Sequence, residues 1–265
     1  RTSTHCFNKQ AGKWEKLNFN YDGDDYRGGL GEQIFGNTWN KQRGQSHYGG
    51  NPNEGGTISA VASAKDHPIL TGVEPMHTYS GAYKSQPPAD ATPLLEVQVL
   101  NTFHTSNDKN TDKPIVNAGW AREFYMAPSG TKKQARTVYT SYGASEDLLD
   151  ANARRFLVNA ALWAGGWEDA IKADLDVSLV GGFQPSPYTT GSFARTGVKP
   201  QDLAGWDSTV MPEAAGFLGL DFDEISSKKA PRLLRVLTLR PDLVDQIKKQ
   251  HPDFTLEKLE AAKKK

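Results

Sequence analysis

The sequence has one cysteine, no excess of charge of either sign and no long apolar run. The single thiol, Cys6, excludes an intrachain disulfide framework and a zinc site built from cysteines, and it leaves the redox compartment open. Lys and Arg together number 31, as do Asp and Glu, so the net charge favours neither a nucleic acid nor an acidic partner. The apolar runs are far shorter than the roughly 20 residues of a membrane-spanning helix. We therefore expect no membrane and no nucleic-acid partner.

Aromatic residues occupy 10% of the 265 positions and are numerous enough to build a hydrophobic core. The length fits one large domain, or one domain with an extension. The composition changes near Ser226, and no internal repeat is present. We place one domain at residues 1–205 and a linker with a basic helical tail at 206–265.

The segment 136–166 has the most regular pattern in the chain. Thr137–Thr140 is β-branched and aromatic, as in a strand, and Gly143 permits a sharp turn. Ser145 is the predicted N-cap of the helix that follows, and Gly165-Gly166 is its predicted end. The apolar residues between them recur every three or four positions, which predicts one buried helix face: Leu149, Ala153, Phe156, Leu157, Ala160 and Trp163. Such strand–turn–helix junctions commonly form ligand sites in α/β proteins.

Other segments have weaker patterns. Strands are predicted at 57–62, 93–100 and 114–122, with a short extended piece after His67 and another at 176–180. A short amphipathic helix is predicted at 30–39, within a loop-rich region that extends to residue 56. Residues 181–200 are rich in proline and glycine and show no periodicity.

The C-terminal region is basic and is broken by prolines. Residues 228–265 contain 11 Lys and Arg against 5 Asp and Glu, and short helices are predicted between Pro231, Pro241 and Pro252. Apolar residues form two clusters, one at 233–239 and one at 243–247. We interpret the region as a small packed appendage with a solvated lysine tail, because a nucleic-acid-binding arm would carry interleaved aromatic residues.

Several segments in order resemble the ThuA-like family, the trehalose-utilisation type, in its bacterial varieties. They are RTSTHCF at 1–7, DDYRGGLGEQIFGNTW at 24–39, DHPILTGVEP at 66–75, the run TVYTSYGASEDLLDANARRFLVNAALWAGG at 137–166, and VSLVGGFQPSPY to GVKPQDL within 177–203. Together they cover roughly residues 1–205.

The resemblance implies a class I glutamine amidotransferase-like fold, which is a flavodoxin-like, three-layer α/β sandwich around a mostly parallel sheet. The segment from Arg1 to Cys6 is similar to the end of the strand that presents the nucleophile in such folds. On this basis we expect a sheet that is incomplete at its N-terminus. We also expect a homo-oligomer or a partner chain to cover the exposed sheet edge near residues 1–7.

The chemistry of an amidotransferase is not carried over. That reaction needs a cysteine nucleophile and an activating histidine. Cys6 lies beyond the position expected for the nucleophile, so we interpret it as a packed thiol. Where the histidine would follow the later strand, this chain has Gly143-Ala144-Ser145-Glu146. A GxSxG nucleophile turn is also missing from the sequence, so the usual serine-hydrolase signature does not apply.

The histidines lack the local spacing of a metal site, and we expect neither a metal nor another cofactor. We interpret His67, His77 and His104 as ordinary polar or turn residues. His5 and His47 lie in or beside the matched N-terminal segments and are candidates for an assisting role in the ligand crevice.

The remaining chemistry belongs to carboxylates. Glu146 and an aspartate near Asp24 are the candidate acid and base for glycoside chemistry, in which two carboxyl groups flank the scissile bond. For Glu146 the alternative is a residue that matches the helix dipole; for Asp24 it is a turn or an ion pair with Arg27. The candidate substrate-binding residues are Arg27, Trp39, Tyr142, Ser145 and Asp147. Trp39, Trp120 and Tyr142 are candidates for stacking on a sugar, or are core aromatics.

The function that the resemblance implies is carbohydrate-related. We expect the chain to bind or hydrolyse a sugar or glycoside, which would make it a hydrolase and not a glutamine amidotransferase. The alternative is a non-catalytic recognition or structural module on the same scaffold.

Overall fold

A computed structural model describes residues 7–38, 46–47, 55–78, 83–101, 109–179, 183, 230, 233–234, 237 and 241–262. The chain divides into two compact units. The first, the sheet unit, comprises Arg1–Gly143 and Asp147–Val177, and the second, the C-terminal unit, comprises Ala144–Glu146 and Ser178–Lys265. The predicted boundary between residues 205 and 206 lies outside the described residues.

The sheet unit contains seven described strands and one α-helix. The strands are β1 (Ser46–His47), β2 (Gly56–Ala60), β3 (Met76–Thr78), β4 (Tyr83–Lys84), β5 (Thr92–Val99), β6 (Val116–Met126) and β7 (Lys132–Thr140). Helix α1 (Ala151–Ala164) follows β7. The main sheet has the order β3-β2-β5-β6-β7, and β1 pairs separately with β4. The prediction of a mixed α/β chain is confirmed.

Each described strand pair is antiparallel, which corrects the mostly parallel sheet that the family resemblance implies. The connection between β6 and β7 shows the reason. It is a tight turn at 127–131, in which the N–H of Gly130 donates to the carbonyl oxygen of Ala127 (2.9 Å). A tight turn joins antiparallel strands, whereas a parallel pair needs a crossover of about a dozen residues or more.

Individual elements follow the sequence pattern closely in the sheet and less closely elsewhere. The three longer predicted strands correspond to β2, β5 and β6, and the extended piece after His67 corresponds to a 3₁₀ turn (Pro68–Leu70) followed by β3. The helix predicted at 30–39 is a single π-helical turn, Gly31–Phe35. The described residues 176–179 form no strand, contrary to the prediction for 176–180.

The core lies between α1 and the sheet. Helix α1 packs against β3 and β7. Its buried residues match the predicted stripe at Ala153, Phe156, Ala160 and Trp163, and they join Leu94, Leu95 and Val97 of β5 in one cluster. The guanidinium of Arg136 on β7 lies 4.9 Å from the centre of the Trp163 ring and donates to the carbonyl oxygen of Trp163 (2.7 Å). These contacts hold the C-terminal end of the helix on the sheet.

The π-helical turn packs on β6 and β7 through side-chain bonds to its carbonyl groups. The indole N–H of Trp120 donates to Phe35 (2.8 Å), and Arg122 donates to Gln33 (3.0 Å) and Ile34 (2.9 Å). Carbonyls at the end of a helical segment lack partners within the helix, so these side chains satisfy them.

The C-terminal unit has its own small apolar core. Helix α2 (Pro241–Gln250) begins at a proline, which is favoured in the first turn of a helix, and α3 (Leu256–Ala262) follows. The two predicted apolar clusters form one, built from Ala230, Leu233, Leu234, Leu237, Ile247, Phe254 and Leu259. The prediction of a packed helical region is confirmed for these residues. Within the described part of the chain, no helix has both the length and the apolar character of a membrane span.

Candidate functional site

The turn after β7 is as tight as the sequence predicts. The hydroxyl of Thr140 donates to the carbonyl oxygen of Tyr142 (2.8 Å), which bends the chain immediately beyond the strand. Gly143 has φ 125°, which an L side chain rarely adopts, and a Cβ added there would meet nothing within 4 Å. Gly143 itself is exposed and has open space beside it, whereas Ser141 and Tyr142 before it are buried.

Asp147 connects this turn to strand β3 through hydrogen bonds. Its carboxylate accepts one hydrogen bond from the N–H of Gly143 (2.8 Å) and one from the hydroxyl of Thr78 on β3 (3.1 Å). The residue is fully buried. Asp147, predicted as a substrate-binding residue, thus uses both carboxylate oxygens to hold the turn against the edge strand of the sheet.

Asp150 is the N-cap of α1, which corrects the prediction of Ser145. Its carboxylate accepts from the N–H groups of Asn152 (2.8 Å) and Ala153 (3.4 Å), and it also accepts from the N–H of His77 on β3 (2.9 Å). Ser145 instead opens a 3₁₀ turn, Ser145–Leu149. Asp150 is a favourable N-cap residue by type, but the sequence offers Ser145 five positions earlier as an equally favourable one.

Tyr142 belongs to the core. Its side chain is 2% exposed and its ring lies 6.2 Å from that of Phe156, tilted by 56°. Burial, together with the charges of Asp147 and Asp150, raises the pKa of Tyr142 well above its ordinary value. A ring that stacks on a sugar needs an exposed face, which Tyr142 lacks, so Tyr142 is a core aromatic. Trp120 is also a core aromatic, because it is fully buried and its ring is stacked on that of Tyr139, with 4.0 Å between the ring centres.

Glu146 is a buried carboxylate at the same junction, with 1% of its surface exposed. Burial of a carboxylate costs free energy unless hydrogen bonds or ion pairs compensate for the lost solvation. The burial of Glu146 therefore has a structural or a functional cause. Of the two candidate catalytic side chains that the structure describes, Glu146 is out of solvent and Asp24 is exposed.

The loop with Asp24 and Arg27 lies at the surface. Arg27 pairs with Asp22 (3.4 Å) and Asp24 (3.5 Å), and the side chain of Asp24 is fully exposed. The tyrosine hydroxyl of Tyr21 donates to Asp25 (2.8 Å) in the same loop. The interpretation of Asp24 as an ion-pair partner of Arg27 is therefore confirmed, while its catalytic role stays a prediction.

Three predicted site residues are described only in part or not at all. His5 and Trp39 lie outside the described residues. The backbone of His47 is in β1, opposite Tyr83, but its side chain lies outside the described part. Among the residues that the structure describes, no group of three or more His, Cys, Asp or Glu side chains is arranged to hold a metal ion.

The backbone at Gly29 sets the shape of the Asp24–Arg27 loop. Gly29 has φ 64°, and a Cβ there would collide with the carbonyl groups of Leu17 and Asn18. Asn18 is held in place by two bonds with the backbone of Gln10 (2.9 and 3.0 Å), so these carbonyls have little freedom to move.

We expect Gly29→Ala to lower the free energy of unfolding by about 3 kcal/mol, of which about 1–2 kcal/mol is the cost of the left-handed conformation. Gly12→Ala is the matched control, because Gly12 has φ 59° and open space around it. It should show only the conformational cost. Urea denaturation of both variants measures the difference, and equal midpoints would refute the proposed collision.

Comparison of the chain with protein-family models, with curated proteins and with solved structures finds no match.

Proposed function

We propose that the chain binds a sugar or glycoside at the β7–α1 junction and that Glu146 transfers a proton during its hydrolysis. The observation that carries this proposal is the burial of the Glu146 carboxylate, which has 1% of its surface exposed. Glycosidases keep one carboxyl group in a water-poor environment, where it retains the proton that it delivers to the leaving-group oxygen. The ordered resemblance to the ThuA-like family supports a carbohydrate as the ligand.

The remaining roles are part of the same proposal. Asp24 is the second carboxylate, with His5 or His47 assisting, and Arg27, Trp39 and Ser145 contact the ligand. Asp147 is also a proposed ligand contact, and its hydrogen bonds to Gly143 and Thr78 position the turn as well.

The finer fold is also a proposal. We infer a three-layer α/β sandwich for the sheet unit, with antiparallel pairing of its described strands in place of the mostly parallel sheet of an amidotransferase-like fold. It is supported by α1 packed on the sheet and by the turn Gly31–Phe35 packed on β6 and β7. A homo-oligomer or a partner chain at the sheet edge near residues 1–7 belongs to this proposal.

The test is turnover of aryl-glycosides and disaccharides by wild type and by Glu146→Gln. We expect the variant to lose at least about 100-fold in kcat, since general acid–base groups contribute roughly 10²–10⁴-fold. Glu257→Gln is the control, because Glu257 is an exposed carboxylate on α3. Equal turnover by Glu146→Gln and wild type would remove Glu146 from the reaction.

A second candidate is a non-catalytic carbohydrate-recognition module. It is favoured by the structural use of three other carboxylates, because Asp147 and Asp150 hold the turn and the helix and Asp24 pairs with Arg27 at the surface. Calorimetric binding of a sugar by a wild-type protein that hydrolyses no member of the panel would select this candidate.

A further inference from the structure

Strand β7 lies at one edge of the main sheet, and within the described part of the chain no further strand pairs with its outer side. Its first three residues, Lys132, Lys133 and Gln134, have exposed side chains. The outer side of an edge strand presents N–H and C=O groups that can pair with another extended chain. The edge at residues 132–134 is therefore accessible to a partner strand.

The hairpin turn fixes which backbone groups of this edge point outward. The N–H of Ala127 donates to the carbonyl oxygen of Thr131 (2.9 Å), so the carbonyl of Thr131 points toward β6. Along an antiparallel strand, residues alternate between those that bond to the neighbouring strand and those that do not. In the register of β6 and β7, Lys133 therefore bonds to β6, whereas the N–H and C=O groups of Lys132 and Gln134 point outward.

The charge of this edge favours an acidic partner. Neither Lys132 nor Lys133 has an ion pair with a described carboxylate, and the ammonium of Lys132 lies 4.5 Å from the centre of the Phe124 ring. Glu123 is the one acidic residue between positions 122 and 136, which include four basic residues. Successive side chains of a strand lie on opposite faces, so the two lysines place a positive charge on each face.

A second copy of the chain is disfavoured as the occupant of this edge. Pairing of two β7 edges would bring four lysines together, and like charges opposite each other destabilise a sheet. A partner strand with carboxylates on both faces has the complementary charge. Phe124, whose side chain is 36% exposed, adds an apolar surface close to the edge that such a strand can cover.

We propose that the outer edge of β7 at residues 132–134 binds an extended acidic segment of a partner protein by strand addition. The backbone groups of Lys132 and Gln134 bond to the segment, and carboxylates on its two faces pair with Lys132 and Lys133. In complexes of this kind the main-chain bonds supply affinity and the side chains supply specificity. The interaction is independent of the proposed carbohydrate function.

The test measures binding of a fluorescently labelled peptide, VEDVEDV, to the full chain by anisotropy. Two further peptides are controls. The peptide VKKVKKV reverses the charge, and VEDVEDV methylated at its backbone nitrogens keeps the charge but loses the donors that strand addition needs. We expect VEDVEDV to bind and both controls to bind at least about tenfold more weakly, the effect of losing a few main-chain bonds or ion pairs.

Variants of the chain test the same contacts from the other side. Gln134→Pro removes an outward N–H and keeps the bonds to β6, since proline is tolerated where the N–H of an edge strand faces solvent. It should weaken binding of VEDVEDV about fivefold or more. Lys132→Glu/Lys133→Glu should weaken it at least about tenfold. The charge-matched control Lys9→Glu/Lys65→Glu, at exposed lysines elsewhere, should stay within about twofold, because distant charges are screened.

Each other outcome has a definite meaning. Equal binding of the methylated peptide would show that charge alone attracts it, and equal binding of VKKVKKV would show no preference for acid; either result overturns the proposal. No binding of VEDVEDV to wild type at about 1 mM also overturns it. If Lys132→Ala/Lys133→Ala then self-associates in sedimentation, the lysines serve only to keep copies apart. Should Gln134→Pro fail to fold by circular dichroism, the lysine variant and the peptide series still decide.

Discussion

Asp147→Ala is expected to lower the free energy of unfolding by about 3 kcal/mol. The substitution removes the acceptor of the Gly143 N–H and of the Thr78 hydroxyl, and the site is fully buried. Losing the buried bond from the Thr78 hydroxyl costs about 1–3 kcal/mol, and losing the half-buried bond from Gly143 costs about 1 kcal/mol. The bonds also fasten the β7–α1 turn to β3, so their loss frees the turn from the sheet.

Thr78→Val separates the two contributions. It removes only the hydroxyl bond and leaves the Gly143 bond in place, so a loss of about 1 kcal/mol is expected. Chemical denaturation followed by circular dichroism measures both variants. A change of less than about 0.5 kcal/mol in Asp147→Ala, which is the range of ordinary surface substitutions, would show that Asp147 does not hold the turn.

Trp120→Ala is expected to have an even larger effect, a loss of about 4 kcal/mol, as for other large-to-small changes of buried aromatics. The indole is fully buried and lies 4.0 Å from the ring of Tyr139, nearly parallel at 22°. Its N–H also donates to the carbonyl oxygen of Phe35 (2.8 Å). The substitution therefore removes apolar contact, ring stacking and a tether of the π-helical turn.

The chain provides a matched control in Trp14, whose side chain is 53% exposed. Trp14→Ala should stay within about 0.5 kcal/mol of wild type, as surface changes usually do. Trp120→Phe should fall between the two, because it keeps an aromatic ring and loses the hydrogen bond. Equal denaturation midpoints for Trp14→Ala and Trp120→Ala would contradict the position of Trp120 in the core.

The elements that were predicted from sequence are those whose causes are local. The strand at 137–140, the turn at Gly143 and the helix end at Gly165 depend on residue types a few positions apart. The sequence pattern places the helix start too early, because Ser145 and Asp150 are both favourable caps and a short 3₁₀ turn, Ser145–Leu149, precedes Asp150. Burial of the residues after Asp150 decides between them, and burial depends on the rest of the fold.

The pairing of the strands and the partners of the site residues depend on distant parts of the chain. The mostly parallel sheet was expected from the family resemblance, whereas the turn at 127–131 makes β6 and β7 a hairpin. The roles of Thr78 and His77 were missed, since nothing in their own segment indicates a bond with an aspartate far along the chain. The Asp24–Arg27 pair was anticipated, as both residues lie in one loop.

The two bonds from β3 to the junction have a consequence for the order of folding. They join residues that are 69 and 73 positions apart, whereas β6 and β7 are neighbours in the chain. Long-range contacts of this kind close large loops and tend to form late, after local pairings. We therefore expect replacements of Asp147 to accelerate unfolding while leaving the refolding rate nearly unchanged, which stopped-flow kinetics would measure.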